Sequence, residues 1–435
     1  MMLRIALFLL ALATPLRAEI AIQEVTSPGG IKAWLVEDHN IPFMALELRF
    51  RGGTSLDQPG KRGAVNLMAA TLEEGAGEMD AQGFATARDG LAAKIGFGAG
   101  ADEISVSLQA LTENRAAAVD LLRQALTAPR FDADAVDRVK GQVLAGLRAE
   151  EQDPGAIAGK IARARGYGDH PYGSSGDGTI DSVTALTRDD VLAAWQGAIA
   201  RDRLYVAAAG DISAAELGAL LDELLAGLPA TGWPMPPKAV LNEQGGVTVQ
   251  PFPGPQSVVL FGHRGIGFDD PDFFAASLLN DILGGGRFSA RLMQEVREKR
   301  GLTYGIGTGL ASRDLSAEWT GQFQASNEKV AEAIDVVRAE WARMAKDGVT
   351  EEELATAKTY MTGAYPLRFD GNGAIANILV GMQMLGLPSD YPKTRNDKVN
   401  AVTMQDIRRV AARLMKPENL SFVVVGEPVG VEATE

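Results

Sequence analysis

The chain has no cysteine and only three histidines, His39, His170 and His263, among 435 residues. The first absence excludes disulfides, thiol nucleophiles and cysteine metal clusters. The second leaves little with which to build an imidazole metal site. Zinc draws its protein ligands from Cys, His and acidic side chains, and no two of these His lie within helical spacing of one another. Positive charge is also in deficit: 42 Lys and Arg face 56 Asp and Glu, a formal charge of −14. Nucleic acid and anionic membrane surfaces require basic patches, so this balance argues against both as partners. There is no Gly-x-Ser-x-Gly elbow for a serine hydrolase. Past the N-terminus no apolar run is long enough to cross a membrane.

What is present is the balance of a soluble globular protein, 46% hydrophobic and 23% charged, in a chain long enough for two or more domains. The N-terminus reads as a secretory leader. Met1-Met2-Leu3-Arg4 is a short basic start, Ile5 to Ala13 is apolar, and Pro15-Leu16-Arg17-Ala18 ends on a small residue. Such a segment is too short to span a bilayer as a mature helix. Cleavage after Ala18 is expected, with the mature chain in the periplasm and no membrane attachment; the alternative is an uncleaved membrane anchor, since Leu16-x-Ala18 is an imperfect A-x-A site. A chain without cysteine is compatible with that oxidising compartment.

The rest of the sequence is an internal duplication. Gln109-Ala110 through Asp120-Leu121-Leu122 matches Gln324-Ala325 through Asp335-Val336-Val337. Gly155-Ala156-Ile157-Ala158 recurs as Gly373-Ala374-Ile375-Ala376, and Thr187-x-x-Asp190 as Thr403-x-x-Asp406. Gly210, after an apolar strand, corresponds to Gly426. The offsets are 215, 218, 216 and 216, a period far too long for a solenoid. Between the copies lies Gly227-Leu228-Pro229-Ala230-Thr231-Gly232-Trp233-Pro234-Met235-Pro236-Pro237. Its prolines block helix and sheet and favour an extended spacer. The expected division is leader 1–18, first half 19–227, linker 228–246 and second half 247–435.

Each half reads as strand, helix, strand, strand, helices, strand. Phe43 to Phe50 and Ile104 to Leu108 alternate as strands do, while Arg115 to Leu126 and Val330 to Met344 carry helical periodicity. Thr187 and Thr403 are predicted helix N-caps, each with Asp three residues on. The run Glu351-Glu352-Glu353 after Thr350 reads as a solvated helix start. The pattern predicts an α+β protein with helices covering largely antiparallel sheets.

The densest motif spans Gly284-Gly285-Gly286-Arg287-Phe288-Ser289 to Arg297-Glu298-Lys299-Arg300-Gly301-Leu302-Thr303-Tyr304. The glycines allow a tight turn and lack the Lys-Ser/Thr of a phosphate loop. Ser289 is expected to cap a helix that buries Leu292, Met293 and Val296 and ends at Gly301. A strand with Leu302, Tyr304 and Ile306 on one face is expected to follow.

This stretch closely resembles a motif of the pitrilysin/insulinase-type zinc peptidases, the M16 family. Gly52-Gly53-Thr54-Ser55-Leu56-Asp57 followed by Gly63 to Ala69 resembles the entry to that family's first active-site helix. His170-Pro171-Tyr172-Gly173 also resembles a family loop and is read as structural. The resemblance implies two tandem homologous halves of α/β-roll subdomains forming a clamshell, the LuxS/MPP-like metallohydrolase fold. It also implies an inverted zinc motif, His-x-x-Glu-His, over residues 65–69. There the chain has Val65, Met68 and Ala69, none of which binds zinc or deprotonates water. Val139 to Gly146, where the family's acidic third ligand would fall, contains no acid.

In the family, an Arg late in the second motif and a Tyr seven residues on assist catalysis. They match Arg297 and Tyr304. A Tyr hydroxyl can donate to the oxyanion formed when water attacks a peptide carbonyl, and an Arg fork can bind substrate carbonyls. Neither is a nucleophile or a ligand. The resemblance therefore implies a subunit that binds no cofactor itself. It would pair with a zinc-bearing M16 paralogue and supply Arg297 and Tyr304 to a shared peptide substrate. The alternative is a non-catalytic M16-derived scaffold or peptide-binding protein.

Overall fold

The computed structural model describes residues 20–434; the leader and its cleavage position lie outside the described residues. The first half contains β1 (Gln23–Thr26), β2 (Lys32–Glu37), β3 (Phe43–Arg51), the small hairpin β4 (Gly75–Ala76) and β5 (Met79–Asp80), β6 (Lys94–Ala99), β7 (Glu103–Leu111) and β8 (Leu204–Gly210). The second contains β9 (Gly246–Pro251), β10 (Gln256–Arg264), β11 (Ile306–Ser312), β12 (Ala317–Ser326) and β13 (Ser421–Gly426). The first sheet has the order β1-β2-β8-β3-β7-β6, and the second, read from its other edge, β9-β13-β10-β12-β11. β2 pairs parallel with β8 and β9 with β13, while the remaining pairs in both sheets are antiparallel. Apart from the extra β1, the two sheets therefore share one connectivity, and the fold is the expected α+β pair of homologous halves.

Local sequence accounts for most of the elements. In β7 every second residue, Ile104, Val106, Leu108 and Ala110, is buried. Thr187, Thr350 and Thr403 each cap a helix through a reciprocal capping box with Asp190, Glu353 and Asp406. Between Leu225 and Gly246 the chain carries no helix or strand. It still lies against the body: Ala239 N–H donates to the Leu315 carbonyl at 2.8 Å and Asn242 N–H to the Gly166 carbonyl at 2.9 Å.

β3 departs from its sequence pattern. Its alternation predicts one buried face, but both are buried, with Glu47 and Arg49 only 8% and 7% exposed. The cover comes from the other half. Helix Asn372–Met384, in the second half, packs on β2, β3 and β8 of the first sheet. Leu379 and Val380 lie against Ala207, Trp34 and Tyr205, and Ala376 against Ala45 and Ala209. Small residues on both sides allow a close approach of helix to sheet. Arg49 donates to Glu47 at 2.7 Å and to Asn377 Oδ1 at 2.5 Å, so the buried charges are paired. Gln383 Nε2 donates to the Val206 carbonyl at 2.7 Å.

The reciprocal contact is made by helix Pro154–Tyr167 of the first half, which packs on β10 and β13 of the second sheet. Ala158 is buried among Val258, Val423 and Val425, with Ile157, Ile161, Phe252 and Leu260 around it. These two crossing helices carry the duplicated Gly-Ala-Ile-Ala. Gly210 matters at the same junction. Its φ is +115°, and an added Cβ would lie 2.5 Å from Asn372 Nδ2 at the start of the second crossing helix. Further ties join the halves. Arg51 Nε pairs with Asp314 at 2.5 Å. Tyr172 OH donates to Asp102 and accepts from Leu315 N–H, which gives the His170–Gly173 loop a structural task.

Each sheet is completed by a helix of the other half, so the chain should unfold in urea as a single cooperative unit. Leu379→Ala should lower its stability by about 2–5 kcal/mol without splitting the transition. Two well-separated transitions in the wild type, followed by circular dichroism and tryptophan fluorescence, would contradict this.

Candidate functional site

Helix Ala64–Thr71 is the element on which the family's zinc motif would sit. Val65 and Met68 are fully buried and Ala69 is 1% exposed. All three side chains point into the protein interior, and the helix packs on helices Ala133–Glu150 and Arg188–Ala198 and on β6. Asp57 holds the helix N-terminus: Oδ2 accepts from Gly63 N–H and Oδ1 from Val65 N–H, each at 2.8 Å. Arg62 pairs with Asp57 at 3.1 Å and donates to Ser174 Oγ and to the Pro171, Ser174 and Thr54 carbonyls. Burial pushes the Asp57 carboxyl up and the Arg62 guanidinium down, each against the pull of the other. Asp57 is thus occupied as a cap and ion-pair partner and is not placed to act as a base.

The three histidines are engaged elsewhere. His39 contacts Asp211 at 2.6 Å and Glu37 at 2.9 Å, and these hydrogen bonds raise its pKa. His170 Nδ1 accepts from Tyr172 N–H, and its Nε2 lies 3.0 Å from the Pro237 carbonyl. His263 Nε2 accepts from Trp341 Nε1 at 3.0 Å, and burial lowers its pKa, so it is neutral. Among the described residues no three His, Cys, Asp or Glu are grouped so as to hold a metal ion. The residues present do not fit zinc.

The second motif is arranged differently from its sequence pattern. The segment Met293–Glu298 is π-wound, with Lys299 N–H donating to the Gln294 carbonyl at 3.0 Å. Wide turns of this kind are rare and recur at functional positions; here the turn carries Arg297. Leu292, Met293 and Val296 are buried as expected, and Gly301 ends the segment with a φ of +59°. Ser289 makes no capping bond; its hydroxyl lies 3.5 Å from Arg287. The strand begins at Ile306, not at Leu302. Thr303 Oγ1 donates to the Gln324 carbonyl at 2.6 Å and accepts from Gly305 N–H at 3.2 Å, which pins the intervening loop. Leu302 and Ile306 turn inward, and Tyr304, expected on their face, is 90% exposed.

The Arg297 guanidinium lies over two rings, 4.6 Å from the Phe288 centroid and 5.2 Å from that of Tyr304. Each contact is a cation–π interaction. Glu298 lies 3.6 Å from the Arg297 Nε. Neighbouring arginines are committed: Arg291 to Glu353 through two bonds of 2.7 Å, Arg300 to Glu295, and Arg287 to Asp281. Sequence reasoning missed Phe288. It sits inside the motif, but nothing in the pattern shows that its ring, 62% exposed, faces Arg297.

Tyr304 stands at a cleft of about 1210 Å³. One wall is the first crossing helix at Ala162, Arg165 and Gly166, continued by Leu241 to Gln244 of the linker. The floor is the outer face of β10, β11 and β12. No residue of helix Ala64–Thr71 lines it.

Two measurements check this description. Dialysed protein should contain no stoichiometric zinc by elemental analysis; one tightly held ion per chain would overturn the assignment of helix Ala64–Thr71. Asp57→Ala should cost about 3–5 kcal/mol in urea unfolding, because it strands a buried guanidinium and removes a helix cap.

The family model described as "Peptidase M16 inactive domain" matches residues 185–361. The "Non-peptidase homolog YmxG" of Helicobacter pylori is 25% identical over 390 residues, covering 89% of this chain and 90% of that one. An "Uncharacterized zinc protease" of Streptomyces coelicolor is 24% identical over 400 residues, covering 90% and 86%. The crystal structure of a peptidase M16 inactive domain from Pseudomonas fluorescens superposes with a TM-score of 0.87. Its identity is 30%, over 95% of this chain and all of that one. With an apolar helix where a zinc motif would stand, and likeness of this extent to an inactive-domain structure, the chain belongs to the M16 peptidase family as a member of its inactive type.

Proposed function

We propose that this chain is the zinc-free subunit of a heteromeric M16 metallopeptidase of the periplasm. Its partner is a zinc-bearing M16 paralogue, and a peptide is enclosed between the two. The observation that carries the reading is the placement of Tyr304. It is 90% exposed on a loop pinned by Thr303, stacked with Arg297, at the mouth of a cleft. A tyrosine held outward in this way is available to a second chain. The division 19–227, 228–246 and 247–435 fits this role, since the second half carries the pair and the first half keeps a zinc-free copy of the active-site helix.

A zinc ion held by the partner would supply an activated water and polarise the scissile carbonyl in the shared site. The residues of this chain bind and stabilise. Tyr304 OH donates to the oxygen that gains negative charge as the carbonyl becomes tetrahedral. The edge N–H groups of Arg297 hold neighbouring peptide carbonyls or orient that hydroxyl. Phe288 keeps the guanidinium plane fixed, which lowers the ordering cost of each bond. Val65, Met68 and Ala69 take no part in the reaction.

The chain alone should not cleave peptides, and mixing it with the zinc-bearing M16 paralogue of the same genome should give hydrolysis. Tyr304→Phe should assemble normally by gel filtration yet turn over 10²–10³-fold more slowly, about 2.7–4 kcal/mol in the transition state. Normal assembly with wild-type turnover would make the pair structural and favour the scaffold alternative. For the location, the N-terminus of the exported protein should begin near Glu19 and the protein should be released by osmotic shock. Retention in the membrane fraction with Met1 intact would contradict this.

A further inference from the structure

The loop that presents Phe288 is held more firmly than a connection needs. It joins helix Phe273–Gly284 to the π-wound segment. Arg287 Nη2 donates to Asp281 on that helix, and both side chains are largely buried. The Arg287 guanidinium also lies 4.7 Å from the centroid of the Tyr360 ring. Tyr360 is on helix Glu351–Ala364, whose Glu353 takes two bonds from Arg291. Residues seven apart lie on one helix face, so Arg287 and Arg291 grip the same face at two points. The turn itself is wound tightly over the carboxylate. A Cβ at Gly285 would lie 2.6 Å from Asp281 Cα and 3.0 Å from its Oδ1, and Gly286 has a φ of +83°. Beyond the turn, the Arg287 carbonyl accepts from Ala290 N–H at 3.0 Å and the Phe288 carbonyl from Gln294 Nε2 at 2.6 Å. The backbone on either side of Phe288 is therefore fixed, although its ring is exposed.

Stability does not account for this clamp. Burial raises the Asp281 carboxyl against the pull of Arg287, and Arg287 Nε is buried without a hydrogen-bond partner. A buried ion pair loses in desolvation much of what it regains in attraction, and apolar replacement is often neutral or stabilising. What such a pair can supply is one conformation of the loop. Here that conformation sets the ring of Phe288, over which the Arg297 guanidinium lies. Arg297 in turn lies over the Tyr304 ring. Tyr304 is so exposed that its own packing does not hold it.

We infer that Asp281 and Arg287 are positioning residues for Tyr304. Arg287, anchored on Asp281 and Tyr360, fixes Phe288. Phe288 places the Arg297 guanidinium, and Arg297 confines the Tyr304 ring at the mouth of the cleft. This deepens the reading above, but only its consequence for turnover rests on that reading. Confinement of the ring is a property of this chain alone.

The test replaces the seven tyrosines of the purified full chain by 3-fluorotyrosine and follows them by fluorine NMR. Tyr304→Phe identifies the Tyr304 line, which should stand apart from that of the free amino acid. Asp281→Asn combined with Arg287→Met removes both charges, so neither is left buried alone, and the melting temperature should change little. The Tyr304 line should nevertheless move most of the way to the free position. Arg287→Lys, which keeps the charge beside Asp281, is a milder variant and should move it part of the way. Phe288→Leu should move the line as far as the double variant does, and combining the two should move it no further. The proposal is overturned if the Tyr304 line stays in place in either clamp variant, or if the shifts from the clamp and from Phe288→Leu add. In the reconstituted pair the double variant should lower kcat about 10- to 100-fold, the scale of a misplaced catalytic group, with a smaller change in KM. It should cost nothing further in the Tyr304→Phe background. Wild-type turnover by the double variant where Tyr304→Phe is slow would also overturn the proposal. A moved line with wild-type turnover by Tyr304→Phe would sink the peptidase reading and leave the clamp standing; an unmoved line with slow turnover by Tyr304→Phe would do the reverse.

Discussion

The structure depends on the exchange of two helices. Helix Pro154–Tyr167 leaves the first half to cover β10 and β13, and helix Asn372–Met384 leaves the second to cover β2, β3 and β8. Neither sheet has a complete apolar cover within its own half. Burial of Ala158 and Leu379, both at 0% exposure, is therefore burial between halves. Hydrophobic stabilisation scales with the area withdrawn from water, so this exchange ties the stability of each half to the presence of the other. It also shapes the cleft. The first crossing helix covers the β10–β13 side of the second sheet and leaves the β11–β12 side open, with Gly307 and Gly309 bare.

The apolar helix Ala64–Thr71 belongs to the same logic. A zinc site requires ionisable groups held at an accessible surface. Val65, Met68 and Ala69 instead fill the first core, and Asp57 and Arg62 close the helix N-terminus with a buried, fully bonded pair. Putting His or Glu at those positions would bury polar groups without partners, at a cost of several kcal/mol. The helix is a packing element of the first core.

There the π-wound turn, the pinned loop and the aromatic stack act together. The wide turn carries Arg297, Thr303 anchors the loop through the Gln324 carbonyl, and the guanidinium lies over the Phe288 and Tyr304 rings. An exposed tyrosine would ordinarily sample several rotamers. Contact with the Arg297 guanidinium limits that freedom.

Sequence by itself determined the features set by local or repeated pattern. The duplication follows from recurring motifs at offsets of 215 to 218. The capped helices follow from Thr-x-x-Asp and Thr-x-x-Glu, because a cap is a bond across three residues. The want of a metal site in residues 65–69 follows from residue identity, since no fold makes ligands of valine, methionine and alanine. Only the tertiary structure decided what depends on residues far apart. The Gly-Ala-Ile-Ala repeat was legible, but that its two copies cross over was not. The contacts that hold them, such as Arg49 with Asn377 at a separation of 328 positions, leave no periodicity in the chain. The period of β3 predicts one polar face; the second crossing helix buried it. Nor did the spacing of Arg297 and Tyr304 show that Tyr304 faces solvent while Leu302 and Ile306 turn inward. That was settled by the Thr303 bonds and by a strand starting at Ile306. Local propensity fixes which segments are strands and helices, but side-chain exposure is decided by what packs on each face, and here the other half of the chain supplies it.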